Sequence, residues 1–550
     1  MTSVHDAAYE LLRSLGMSTF FGNPGSNELT FLDDFPSDFR YVLALQEGAG
    51  LAMADAYAQA TGAPVLVSLH AAAGVGQAMG ALVNSQLAGT PLVIMSGQQA
   101  RSLITLEGQL TNVDAINLPK PLVKGSFEAP SPAAAPATLA RAAHLAASAP
   151  TGPVFVSIPL DDWRGDAGAD IGGLVKRRVA ARPAPAAEPI AALAKRLDAA
   201  RNPLLIFGAE VDASGGWDAG VALAERLAAP ALLAIEVGRI SFPTDHDCYQ
   251  GTLGVTIGAV RKQLEGHDLV IVAGAPVFGY HAWAEGPYLP DGTELVALTA
   301  DPAQAARAPV GDAIVGDPAQ ALAMLTARIA EADRARPERR LPPAADRSAV
   351  PMRPDALLDV LRDRVPADAA FASEVPSLGN WWERVPITKA RSFFSSAAGG
   401  LGYGIPAAVG LGLADPTRPV VCLSGDGSAH YGITGLWTAA QHGVDVTFVI
   451  APERHLRRAQ GVRRLPPDDR SAGSRPPRHR LCRTRRRVRH RGAARGDRRR
   501  VRRGAGRSVR EQRPGCDRGG DRRDAKRHVR RAACAHDGRA RRQPQRSRSW

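Results

Sequence analysis

"VVCLSGDGS" (420–428) is the stretch whose reading decides the fold. Val420, Val421, Cys422 and Leu423 make a short apolar run of strand length, and Gly425-Asp426-Gly427 follow it at once. The text then changes to a helical pattern through "AHYGITGLWTAA" (429–440). A strand that is apolar throughout, then a glycine turn, then a helix, is the repeating element of a parallel sheet covered on both faces. Gly425 and Gly427 let a diphosphate approach the backbone, the helix start favours its negative charge, and the Asp426 carboxylate suits a divalent metal.

The same grammar recurs in both directions along the chain. The N-terminal block runs through "TFFG" (19–22), "YVLAL" (41–45), "PVLVSL" (64–69), "PLVIMSG" (91–97) and "VFVSIP" (154–159), with Ala-rich helical stretches between. A second block carries "PLLIFG" (203–208), "ALLAIE" (231–236), "DLVIVAGAP" (268–276) and "ELVALTADP" (294–302). The third carries "AFASE" (370–374), "VVCLSGDGS" and "VTFVI" (446–450). Pro- and charge-rich linkers, "RRVAARPAPAAEP" (177–189) and "RARPERRLPPAADRSAVPMRP" (334–354), separate the blocks. The expectation is three doubly wound α/β domains at 1–176, 190–333 and 352–452, the last incomplete, followed by a distinct segment at 453–550.

The charge of +14 averages two unlike parts. Residues 453–550 hold 35 Arg, one Lys and nine acids, and no Ile, Phe, Tyr or Met. They carry a net +27, which leaves −13 on the body, so the body has no electrostatic reason to seek nucleic acid. The segment holds too little apolar surface to fold alone, which predicts disorder. No apolar run reaches membrane-span length, and "MTSVHDAAYELLRSLG" opens on an amphipathic helix without a signal-peptide core. Only Cys248 and Cys422 lie in the body, which fits a reducing cytoplasm.

In doubly wound sheets ligands sit beyond the carboxyl ends of the strands. There the N-terminal block places Asn23-Pro24-Gly25-Ser26, Glu47 and His70. Each has a plain reading: Ser26 as a helix N-cap, Glu47 as a solvent-facing acid at a helix start, His70 as a structural histidine. Each also has a chemical one, with Glu47 buried, its pKa pushed up, and suited to proton exchange. Three successive strands delivering Ser, Glu and His to one edge favour chemistry. His281 follows a strand of the second block in the same way.

Taken in order, "FGNPGSNEL", "ALQE", "LHAAAG", "LTNVDAINLPKPLVK" (110–124), "GAPVFGYH", "AAGGLGYGIPAAVGLGLA" (397–414) and "GDGSAHY" resemble the thiamine-diphosphate-dependent enzymes, and within them the benzoylformate decarboxylases. The likeness runs over residues 1–452. It implies non-oxidative decarboxylation of an aromatic 2-oxo acid, benzoylformate to benzaldehyde and carbon dioxide, with thiamine diphosphate and Mg²⁺ as cofactors. It implies that Glu47 hydrogen-bonds the cofactor's aminopyrimidine, that His70 and His281 transfer protons, and that Ser26 holds the substrate carboxylate. Asn23, Pro24, Gly25, Ser377, Gly400, Leu401, Gly425, Gly427 and Ser428 are implied in cofactor binding, with Leu401 as the wedge that bends it. Asp426 is implied as a metal ligand, and a homodimer or homotetramer as the assembly. "ASEVPSLGN" (372–380) departs from the family, which tends to carry hydroxyl residues where Val375 and Pro376 stand.

In that family an Asn and a small hydroxyl residue complete the metal site, at positions occupied here by Glu453 and His455. One legal back-translation of "ERHLRRAQ" (453–460), read one nucleotide later, gives NGTYGAL, which is the family's loop. An Arg excess over Lys is what GC-rich DNA yields out of frame. We therefore read a frameshift near Pro452 in preference to a functional nucleic-acid-binding arm. The alternatives are another 2-oxo acid decarboxylase of this cofactor class, an acetolactate-synthase-like carboligase, or an inactive frameshifted product. His70 together with His281 favours the decarboxylase.

Overall fold

The computed structural model describes residues 2–452, apart from 169, 181, 236, 237, 282, 284, 340 and 341. The segment 453–550, with Glu453, His455 and the expected disorder, lies outside the described residues. Among the described residues three sheets form, and every strand pairing in them is parallel.

The N-terminal sheet holds β1 (Thr19–Asn23), β2 (Arg40–Leu43), β3 (Val65–Leu69), β4 (Leu92–Gln98), β5 (Gly125–Glu128) and β6 (Val154–Pro159), in the order β2-β1-β3-β4-β6-β5. The central sheet holds β7 (Pro203–Phe207), β8 (Ala231–Leu233), β9 (Tyr249–Thr252), β10 (Leu269–Ala273), β11 (Glu294–Thr299) and β12 (Asp312–Val315), in the order β12-β11-β10-β7-β8-β9. The third holds β13 (Ala370–Glu374), β14 (Phe393–Ser395), β15 (Val420–Gly425) and β16 (Thr447–Ala451), in the order β14-β13-β15-β16. The orders reverse direction between β1 and β3, between β7 and β10, and between β13 and β15, and the N-terminal sheet reverses once more at its β6-β5 edge. At such a switch point the loops part and leave a crevice.

Four strands lie outside the apolar runs read from the sequence: β5, β9, β12 and β14. All four are sheet edges of only three or four residues. An edge strand pairs on one side only, so a short segment suffices there. Conversely, "VTFVI" reads as a buried strand, yet β16 lies at an edge of the described sheet with Ile450 43 % exposed.

Two contacts lock the domains together. The Glu47–Thr61 helix, rich in Ala and Gly, packs against the equally small-sided Gly404–Ala414 helix. At Gly410 the backbones meet, and a Cβ there would lie 2.1 Å from the Met53 carbonyl oxygen. The second contact is ionic. Arg239, in the central domain, is buried with its Nη2 2.6 Å from Asp212 Oδ2, and its guanidinium lies over the Phe394 ring of β14. Its Nη1 donates to Gln59 Oε1 on the N-terminal helix (3.3 Å), while Asp212 Oδ1 accepts from the Arg391 N–H (2.9 Å). One buried ion pair thus touches all three domains. Removing one partner of such a pair costs about 3–5 kcal/mol, because the other charge stays buried. Arg239→Leu is expected to lower the thermal midpoint by that amount of stability, with Asp212→Asn/Arg239→Leu recovering part of it. A calorimetric change in Arg239→Leu below about 1 kcal/mol, the range of exposed pairs, would refute the ionic lock.

At the central switch point Glu210 is partly buried, accepting from the Ala300 N–H (2.7 Å) and facing the Thr299 hydroxyl (2.9 Å). Burial pushes its carboxyl up to about 7. The folded state therefore holds a proton that the unfolded chain releases near pH 4.5. The contribution is full below that pH and is lost as pH rises through about 7, an effect on the order of 2–3 kcal/mol. Glutamine can keep both bonds without the charge. Glu210→Gln is expected to be more stable than wild type at pH 8 and little changed at pH 4.5, by denaturant unfolding at the two pH values. A variant less stable than wild type at pH 8 would contradict this.

Candidate active site

The carboxyl edge of the N-terminal sheet gathers most of the predicted residues at its switch point. β1 ends on Asn23, and Pro24, Gly25 and Ser26 form the turn that follows, with Ser26 exposed. The next helix begins only at Leu29 after Glu28, so Ser26 is not its N-cap. Gln46 caps the Glu47–Thr61 helix by accepting from the Ala49 N–H (2.8 Å), which leaves Glu47 as the first helical residue. Glu47 is only 7 % exposed and lies against Gly74 in the first turn of the Ala71–Leu87 helix. Its Oε1 accepts from Asn23 Nδ2 at 3.3 Å.

His70 stands at the N-cap position of the Ala71–Leu87 helix without capping it. Its ring turns back on β1, with Nδ1 2.8 Å from Glu28 Oε2. Gly25 is fixed by this packing, since a Cβ there would come within 2.1 Å of His70 Nδ1. Glu28 was not among the predicted residues, although it ends the quoted "FFGNPGSNE" (20–28). It is 1 % exposed and also accepts from the Gly25, Gly97 and Ala71 N–H groups at 2.8, 2.8 and 3.3 Å. An acid in an irregular turn has no periodicity to betray its burial, so sequence pattern could not find it.

The third sheet builds a second cluster at its own switch point. Asp426 opens the Asp426–Tyr431 helix at the end of β15, where its Oδ1 accepts from the Gly427 N–H (3.0 Å), and Ser428 is buried behind it. Ser377 sits in the short Pro376–Leu378 turn after β13. Gly400 and Leu401 lie in the loop before the Gly404–Ala414 helix, with Leu401 49 % exposed. That loop is held by a second acid the sequence did not flag. Glu374, buried at the end of β13, accepts from the Gly402 and Gly404 N–H groups at 2.6 and 2.8 Å. Burial pushes the Glu374 carboxyl above its ordinary range, opposed by these N–H bonds. His281 is exposed within the long loop between β10 and β11, its backbone N–H donating to the Val255 carbonyl (3.0 Å). Among the described residues no hydrogen bond or ion pair joins His281 or Leu401 to the Glu47–His70 cluster.

The chemistry of these donors can be set against a nitrogen heterocycle bearing a diphosphate. Glu47 offers a buried carboxylate whose hydrogen-bond donor among the described residues is Asn23 alone, so it retains acceptor capacity for a ring or amino N–H. That half fits. For the metal, no group of three or more His, Cys, Asp or Glu side chains comes together among the described residues. Asp426 offers one carboxylate, whereas a hard divalent cation wants near-octahedral oxygen ligation. Among the described residues that set falls short of such a shell.

Known proteins bear on this arrangement. Three family models match: thiamine pyrophosphate enzyme, N-terminal TPP binding domain, over residues 2–118; central domain, over 190–325; and C-terminal TPP binding domain, over 375–476. Benzoylformate decarboxylase of Pseudomonas aeruginosa is 49 % identical over 452 residues, 82 % of this chain and 86 % of that protein. The structure of a thiamine diphosphate-dependent 4-hydroxybenzoylformate decarboxylase of Rhodococcus jostii superposes with a TM-score of 0.81 at 42 % identity, covering 85 % of this chain and 90 % of that one. That of benzoylformate decarboxylase from Polynucleobacter necessarius gives 0.81 at 40 % identity, with the same coverage. With parallel switch points bearing an acid–amide pair on one sheet and a GDG turn on another, the chain belongs to the thiamine-diphosphate-dependent enzymes.

Proposed function

We propose that this protein decarboxylates an aromatic 2-oxo acid, with benzoylformate as substrate and benzaldehyde and carbon dioxide as products. The observation that carries the reading is the convergence of Glu47, Asn23, His70 and the Ser26 turn on the β1/β3 switch point, in a chain half identical to a benzoylformate decarboxylase. Bound thiamine diphosphate supplies the electron sink that lets the carbon–carboxylate bond break. Glu47 accepts a hydrogen bond from the cofactor's aminopyrimidine, its burial away from water keeping that bond strong. His70 and His281 move protons to and from the reacting oxygen and carbon, a task imidazole suits near neutral pH. The Ser26 hydroxyl holds the substrate carboxylate. Asn23, Pro24 and Gly25 shape the cofactor's ring site, while Ser377, Gly425, Gly427 and Ser428 line the diphosphate and Asp426 its Mg²⁺. Gly400 and Leu401, in the loop before the Gly404–Ala414 helix, would pack against the bound cofactor.

Leu401, Tyr431, Ile433 and Trp437, all near the diphosphate turn, are between 39 % and 69 % exposed. Apolar surface of this kind next to a site favours a second copy as its cover, so we place the complete site in a homodimer or homotetramer. No helix among the described residues is long and apolar enough to cross a membrane; we place the enzyme in the cytoplasm.

We also propose that the reading frame is lost after Pro452. β16 fits this reading: a strand of buried-type sequence stands at the edge of the described sheet with Ile450 exposed. The test of function is carbon dioxide release from benzoylformate and from pyruvate, on the 550-residue chain and on one with the shifted frame restored. The restored chain is expected to prefer benzoylformate by kcat/KM, and Glu47→Gln in it to fall by about 100-fold or more. Preference for pyruvate, or an undiminished Glu47→Gln, would overturn the assignment.

A further inference from the structure

Glu28 presents an acceptor problem whose solution fixes the state of His70. Its two carboxylate oxygens offer about four acceptor directions. Three are taken by groups that can only donate: the Gly25 N–H on Oε2, and the Gly97 and Ala71 N–H groups on Oε1. The fourth partner is His70 Nδ1, 2.8 Å from Oε2. The side chain is 1 % exposed, so water does not share the load, and no Lys or Arg pairs with it among the described residues. Three backbone N–H groups thus use the carboxyl oxygens purely as acceptors, and the hydrogen in the remaining contact, Oε2 with Nδ1, is assigned to the imidazole.

We propose that Glu28 is the positioning residue of this site: it holds the neutral His70 ring as the Nδ1–H tautomer and leaves Nε2 bare as the proton acceptor. The inference rests on the reading of His70 as a proton-transfer residue. The same oxygen that faces His70 also takes the Gly25 N–H, and the ring packs against Gly25 itself. One carboxylate therefore sets both the orientation of the ring and the position of the Ser26 turn. Through Oε1 it ties that turn to β4 and to the start of the Ala71–Leu87 helix. Glutamine cannot replace it, because its amide N–H would face at least one backbone N–H whichever way it turned.

The test is nitrogen-15 NMR of the full chain with ring-labelled histidine near pH 8, where an ordinary imidazole is neutral. The His70 signals are assigned by their loss in His70→Ala. The expected wild-type pattern is a protonated Nδ1 and a bare Nε2. In Glu28→Ala the fixed pattern should give way to averaged tautomers, while Glu28→Asp, which keeps the charge, should retain part of it. A wild-type ring protonated on Nε2, or His70 signals unchanged in Glu28→Ala, would overturn the proposal. If Glu28→Ala fails to fold, the wild-type spectrum and Glu28→Asp decide it. In a chain that turns over, loss of the fixed tautomer should lower kcat about 100-fold with little change in KM. Full turnover by His70→Ala would instead refute the proton-transfer reading, and leave the spectral result to judge Glu28 alone.

Discussion

The absence of one side chain sets the geometry on which this structure depends. Because Gly410 has no Cβ, the Glu47–Thr61 and Gly404–Ala414 helices come together backbone to backbone. The first of these helices begins on Glu47, and the second begins just after Leu401. The separation of the N-terminal and third sheets is therefore set by the small faces of two helices rather than by interdigitated large side chains. Close-packed interiors do not yield easily, so the contact fixes both site clusters relative to the core. The core itself is continuous across it, with Met53, Val67 and Phe21 in one cluster with Val409 and Leu413.

The chemistry follows from topology. The N-terminal and third sheets share one strand order about their first strand, and each puts its functional groups at the point of reversal. In the first, Asn23, Glu47 and His70 come from the ends of β1, β2 and β3. In the third, Glu374 and Asp426 come from the ends of β13 and β15. Both clusters also rely on a buried acid that accepts backbone N–H groups, Glu28 in one and Glu374 in the other. Fixed N–H donors satisfy the oxygens of each buried acid without a cation, and the same bonds tie down the loops they belong to. The central sheet has the same kind of reversal, yet there burial pushes the Glu210 carboxyl up to about 7 and its oxygens meet the Thr299 hydroxyl and the Ala300 N–H.

Sequence made the interior of each sheet legible, because strands buried on both faces are apolar from end to end. β6 and β13 begin and end where the apolar runs do. The edges β5, β9, β12 and β14 stayed illegible because strands of three or four residues are too short to show a run or an alternation. Site residues that follow a strand were legible, as with Glu47 and His70. Glu28 and Glu374 were not, since what marks them is the set of backbone donors that folding brings around them. The N-cap reading of Ser26 failed because the turn spends its hydrogen bonds on Glu28 and delays the helix to Leu29.

The proposed loss of frame after Pro452 leaves the Glu47–His70 half-site in place and takes away part of the proposed metal half-site. Calorimetric titration of thiamine diphosphate in the presence and absence of Mg²⁺ addresses that claim directly, on the 550-residue chain and on one with the shifted frame restored. The account predicts Mg²⁺-dependent binding by the restored chain and none by the 550-residue chain. Equal Mg²⁺-dependent binding by both would contradict it.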